Sequence, residues 1–129
     1  MNALPSLRIV VCDESDVIRA QIKIIARTRK IDVVEAETGH QAFAALMVSD
    51  AQCAFLHVHL PDISGFEIAR RVTAAKLPAR PTLVALAGWL SREEAALVDT
   101  VGFDRWISRP LDPAHIEAVL AELQERVST

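Results

Sequence analysis

Residues 53–76 read CAFLHVHLPDISGFEIARRVTAAK, and the succession of residue types in this stretch decides the fold. The apolar run 53–58 is too short for a helix and has no turn former, so it reads as a strand. A loop through Pro61 follows, and Ser64 with Glu67 has the spacing of a capping box that opens a helix to about residue 76. A short apolar strand feeding a capped helix is one half of a parallel strand-helix-strand unit.

The same alternation runs outward in both directions. Upstream, residues 7–12 (LRIVVC) make a strand, and 15–30 make a helix with Ile18, Ile22 and Ile25 on one face. Residues 32–36 (DVVEA) form a second strand. Thr38 and Gln41 then read as a capping box for a helix that turns Phe43, Leu46 and Met47 inward. Downstream, Pro78 and Pro81 interrupt the chain before residues 82–87 (TLVALA), a strand apolar on both faces, as the middle of a helix-covered parallel sheet requires. Ser91 with Glu94 caps the fourth helix, and Gly102 is placed to end it in a left-handed turn. Residues 103–108 form a short fifth strand. Asp112 and Pro113 open the last helix, with Ile116, Val119, Leu120, Leu123 and Val127 as its apolar stripe. Five strand-helix units with right-handed crossovers predict an α/β domain over residues 1–129. Its five-stranded parallel sheet, order 2-1-3-4-5, is doubly wound with five helices in the flavodoxin-like manner. The site of such a sheet lies beyond the carboxyl ends of strands one and three.

Composition narrows the function classes. At 129 residues with 51% hydrophobic content the chain buries one core and hardly two. Seventeen acidic residues against fourteen Lys plus Arg give a net charge of −3, without the basic surplus that nucleic acid or anionic lipid attracts. No stretch approaches the ~18 apolar residues of a membrane span, and the N-terminus lacks the form of a secretory signal, so the expectation is cytoplasmic. The two cysteines, Cys12 and Cys53, stand in separate apolar runs. Placed at opposite ends of neighbouring strands, they lie roughly four residues or ~13 Å apart, too far for a disulfide. GxSxG, HExxH and phosphate-loop glycine patterns are absent.

Four segments, RIVVCDE (8–14), FLHVHLPDISGFEIARRV (55–72), LVALAGW (83–89) and GFDRWISRPLDPAHI (102–116), resemble in order and spacing the receiver domain of two-component response regulators. The resemblance covers about residues 7–127. It implies an acidic pair at Asp13 and Glu14 that holds Mg²⁺, a phosphoryl-accepting aspartate at position 57, a hydroxyl at position 87, and a lysine at 109 before the cis-proline Pro110. Here those last three chemical positions are His57, Ala87 and Arg109. The acceptor is missing, so the pocket is degenerate. Arg109 is expected to pair with Asp13 or Glu14 through its fork of donors, and His57 to bond an acid. No cofactor is expected, with Mg²⁺ at most weakly held by Asp13 and Glu14, because Mg²⁺ wants oxygen ligands.

The resulting expectation is a pseudo-receiver, not an enzyme, that signals by phosphorylation-independent protein contact. Its partner would be a histidine kinase, an output domain, another signalling protein or a second copy of the chain. The contact face implied by the resemblance is helix four, strand five and helix five, with Trp106 and Trp89 there. Because Ala87 leaves space where a hydroxyl residue would stand, the indole of Trp106 is expected to turn inward and lock. Two alternatives stay open: His57 itself accepts a phosphoryl group, or Asp13, Glu14, His57 and His59 bind a divalent metal in a sensory domain.

Overall fold

The computed structural model describes residues 6–128, so residues 1–5 and 129 of the expected domain lie outside the described residues. The elements alternate without exception: β1 (Arg8–Cys12), α1 (Asp16–Thr28), β2 (Asp32–Ala36), α2 (Gly39–Val48), β3 (Cys53–His57), α3 (Gly65–Ala75), β4 (Thr82–Ala87), α4 (Arg92–Thr100), β5 (Arg105–Ser108) and α5 (Pro113–Ser128). The strands are parallel and lie in the order β2-β1-β3-β4-β5, as the alternation predicts.

Period-two alternation divides the strand residues between two cores. Val10, Cys12, Leu56, Leu83 and Ala85 pack with Leu46 of α2, Ile68 and Val72 of α3 and Val98 of α4. Ile9, Val11, Phe55, Val84, Leu86 and Ile107 pack on the other face with Ile22 and Ala26 of α1 and Ile116, Leu120 and Leu123 of α5. Complete burial of a side chain such as Phe55 is worth about 1.5–3 kcal/mol. Among the described residues no helix is long and apolar enough to cross a membrane.

The register aligns Cys12 with Leu56 and Leu56 with Ala85, so the carboxyl ends of the central strands finish at one level. Cys53 pairs with Ile9, three residues from Cys12 rather than four. The two thiols also belong to opposite cores and are free.

Several local expectations need correction. Of the three capping boxes expected at Thr38, Ser64 and Ser91, the one of Ser91 and Glu94 closes reciprocally. Thr38 and Ser64 do accept from the N3 amides, but Gln41 turns back to the Glu37 amide. Glu67 is drawn away by Arg70 and Arg71, whose guanidinium groups hold its carboxyl down at about 2. β5 starts at Arg105 rather than 103, because Phe103 drops into the core, edge-on to Phe66 with ring centroids 6.1 Å apart. Val127 does not complete the α5 stripe and is 38% exposed. It borders a groove with Ala51, Gln52 and Thr82, beneath the starts of β3 and β4.

Candidate functional site

Asp13 follows β1 directly and is fully buried. One carboxylate oxygen accepts the Ser15 amide at 2.9 Å and the other accepts from the guanidinium of Arg109. Arg109 stands just after β5, where its own amide donates to the Ala87 carbonyl at 3.1 Å. Burial pushes its guanidinium below the usual value, yet an arginine stays charged throughout the ordinary pH range. The expected pairing to an acid is therefore present, and Asp13 is the acid.

Beneath the pair lies Arg19 of α1, 5% exposed. It donates to the Asp13 carbonyl at 2.6 Å, and Asp16, Glu35 and Glu37 surround its charge. The main chain at Asp13 is thus held from below as its carboxylate is held from the side.

Glu14, the other acid, turns to His57: Nδ1 of the imidazole and Oε2 of the carboxylate are 2.9 Å apart. His57 ends β3 and is 7% exposed. The N-terminus of α3 closes over this strand end, and only glycine fits there. A Cβ on Gly65 would lie 2.5 Å from the His57 carbonyl oxygen and 3.0 Å from Cα of Val58. One donor atom each from Asp13, Glu14 and His57 falls within 4.8 Å of the others.

His59 is near His57, with ring centroids 5.9 Å apart and edge-on, but it is engaged elsewhere. Its Nε2 lies 2.6 Å from Oε2 of Glu94, whose other oxygen accepts the Ser91 amide in the α4 capping box. The His59 hydrogen bond and the Ser91 amide hold the Glu94 carboxyl below its ordinary range. The two histidines of the HxH stretch therefore serve different elements.

At position 87 the alanine methyl is fully buried. Trp106 nevertheless remains 45% exposed, so the inward indole expected from the small residue is not the conformation seen. Ala87 belongs to the same core cluster as Val98, Phe103 and the partly buried Leu90. Trp89 is 73% exposed, whereas Leu90, its neighbour, folds down. The Arg109-Pro110 bond is cis, as the resemblance implies.

Sequence reasoning missed Arg19, Asp62 and the contact of Glu94 with His59. Arg19 left a signal, because it sits on the buried stripe of α1 with Ile22 and Ala26. A charge on the apolar face of a helix requires partners. Asp62, in the loop after β3, accepts the amides of Gly39 and His40 at 2.8 Å each, at the start of α2. Burial works to raise its carboxyl, but the amides of His40, Gly39 and Ile63 outweigh it and bring it down to about 2.

The model of the response regulator receiver domain family matches residues 9–121. The chain is similar to the transcriptional regulatory protein SrrA of Staphylococcus aureus (strain NCTC 8325 / PS 47), with 24% identity over 124 residues that cover 96% of this chain and 50% of the relative. It thus spans about half the length of the curated relatives it matches. Its fold is similar to that of a CheY-like response regulator receiver domain protein from Methanospirillum hungatei JF-1, with a TM-score of 0.82, 21% identity, and coverage of 96% of this chain and 95% of that one. A two-component response regulator from Clostridium difficile superposes with a TM-score of 0.85 at 14% identity, over 96% of this chain and 100% of that one. With the strand order, the acidic residues after β1 and the cis-proline turn after β5 all in place, the chain belongs to the response regulator receiver domain family.

Proposed function

We propose that this receiver domain is a pseudo-receiver, a binding module rather than an enzyme, that works through a standing protein-contact surface without phosphorylation. The observation that carries this reading is the double pairing of the acidic residues, Asp13 with Arg109 and Glu14 with His57. Both carboxylates that would face a phosphoryl site already hold basic partners. The strand-end residue that would attack a phosphodonor is an imidazole, and in-line transfer to a carboxylate has no acceptor there.

Mg²⁺, which the family resemblance implies, does not fit this donor set. It demands near-octahedral oxygen ligation, whereas the trio offers one nitrogen, one carboxylate bridged to a guanidinium and one carboxylate bonded to the imidazole. No step of the proposed function runs through Mg²⁺.

The contact surface is the face of α4, β5 and α5. Trp106, Leu97 of α4 and Trp89 in the loop before α4 are exposed there, and exposed aromatic side chains suit recognition of a protein partner. A histidine kinase, an output domain or a second copy of the chain are the candidate partners. A ligand shifts a two-state equilibrium only by its differential affinity. Without a phosphoryl group to supply one, a single surface is presented.

Incubation with acetyl phosphate and Mg²⁺ followed by intact-mass measurement tests this. The expected result is an unchanged mass, together with unchanged Trp106 fluorescence on adding beryllofluoride and Mg²⁺ to a Trp89→Phe variant. A phosphoryl adduct mapped to His57 would replace the proposal with the histidine-acceptor reading.

A further inference from the structure

We propose that Glu14 and His57, backed by Asp13, form a binding site for a borderline divalent transition metal of the zinc class. The proposal deepens the pseudo-receiver reading by giving the same pocket a different ligand, and its test is separate from the phosphodonor test.

The geometry comes first. Zinc binds imidazole nitrogen and carboxylate oxygen at about 2.0–2.2 Å, so two such donors on one tetrahedral ion stand roughly 3.3–3.6 Å apart. Nδ1 of His57 and Oε2 of Glu14 are 2.9 Å apart across their hydrogen bond, so a separation of a few tenths of an ångström brings them to the spacing of adjacent ligands. The metal takes the place of the proton shared between Nδ1 and the carboxylate; that proton is released to solvent or moves to Nε2, and the ring binds through the Nδ1 lone pair as the neutral Nε2–H tautomer. The third donor, from Asp13, lies within 4.8 Å of both. Glu14 has the freedom to close the remaining gap, because its side chain is 47% exposed while that of His57 is 9% exposed and fixed at the strand end.

Asp13 keeps its existing bonds. Its two oxygens accept from Ser15 and Arg109, and each carboxylate oxygen has a second lone pair. The guanidinium therefore orients Asp13 while leaving it able to face an ion.

Charge and donor softness choose the metal. Two carboxylates against one guanidinium leave a single negative charge at the site, less than a third carboxylate at position 57 would provide. That loss penalises Mg²⁺, whose binding is electrostatic and oxygen-based. Imidazole suits zinc, copper and nickel, which also stand high in the intrinsic affinity order. The cysteines do not compete: both are buried, and burial together with the Asp62 and Glu14 charges pushes the Cys12 thiol up to about 12.

The test is calorimetric titration of the EDTA-treated chain with Zn²⁺ and, separately, Mg²⁺, with Co²⁺ absorption as a spectroscopic probe. The expected result is one Zn²⁺ per chain, bound more tightly than Mg²⁺, and visible Co²⁺ bands that Zn²⁺ abolishes. Glu14→Gln and His57→Asn should each weaken Zn²⁺ binding by at least about tenfold, since even outer-shell changes cost that much. A His40→Asn, His115→Asn double variant, which removes two exposed imidazoles, should bind as the parent does. Tighter binding of Mg²⁺, or Zn²⁺ binding that survives in Glu14→Gln, overturns the proposal. Glu14 is on the surface, so its variant folds and decides the matter should His57→Asn not fold. Failure here leaves the phosphodonor result untouched, and a phosphoryl adduct on His57 would sink the pseudo-receiver reading whatever the metal titration gave.

Discussion

Arg109 and Asp13, 96 residues apart in the chain, share a hydrogen-bonded ion pair whose carboxylate is completely buried. Asp13 follows β1 and Arg109 follows β5, with β3 and β4 between those strands in the sheet. The pair therefore ties the first strand to the last across the mouth of the site.

Removing the cation should cost more than removing the pair. Arg109→Ala leaves a buried carboxylate with only the Ser15 amide, and about 2–4 kcal/mol of stability should be lost, somewhat below the value for a fully dry pair because Arg109 keeps some contact with water. Asp13→Asn in the same chain should recover part of that loss. A urea double-mutant cycle checks the coupling, and strictly additive losses would refute it.

Gly65→Ala should destabilise by about 1–3 kcal/mol, the usual range for overpacking. The added methyl would meet the backbone oxygen of His57 at 2.5 Å, and a strand end cannot retreat as a flexible side chain can. The same variant should loosen His57 against Glu14, visible as a shift of the His57 imidazole resonances. A variant as stable as the parent would show that α3 can lift away freely.

The acid limb of stability should carry the signature of Asp62. Its carboxyl titrates at about 2 in the folded chain, below the unfolded carboxylate. Its contribution is thus whole above the ordinary carboxylate range and is lost as pH falls from there toward about 2. Asp62→Ala should lower stability near neutrality by about 0.5–2 kcal/mol, as loss of a helix N-terminal acceptor does, and by progressively less in acid. Urea midpoints across that pH range measure the difference. A deficit that stays constant down the acid limb would show that Asp62 acts through packing instead of charge.

Both thiols should be inert in the native protein. Cys12 and Cys53 are fully buried in opposite cores, and burial raises both above the usual thiol value. Since the thiolate is the reactive form, an aromatic disulfide reagent should react only after denaturation, then with both cysteines. Rapid labelling of either one in the folded state would contradict the packing described.

Most of the fold was legible in the chain because its signals are local. The 82–87 run, the Ser91 and Glu94 box and the left-handed Gly102, at φ 109°, each act over a few residues. Strand ends were less legible. Phe103 carries a strand-like side chain, yet an aromatic contact with Phe66, from α3, draws it out of the sheet. The failed box at Ser64 has a similar cause: Glu67 had arginines three and four residues on, and charged donors outcompete a backbone amide.

By itself the sequence determined the strand-helix alternation and the parallel sheet order, because periodicity and caps need no knowledge of distant neighbours, and it set a histidine at position 57, where the family resemblance implies an aspartate. Only the tertiary structure decided which acid each basic residue takes. Asp13 goes to Arg109 and Glu14 to His57, 43 residues away, because β1, β3 and β5 end on one side of the sheet. It also decided that Trp106 stays out, although Ala87, in one core cluster with Val98, Phe103 and Leu90, is small. Packing of that kind is settled by what else fills the space, and no single stretch of chain contains that information.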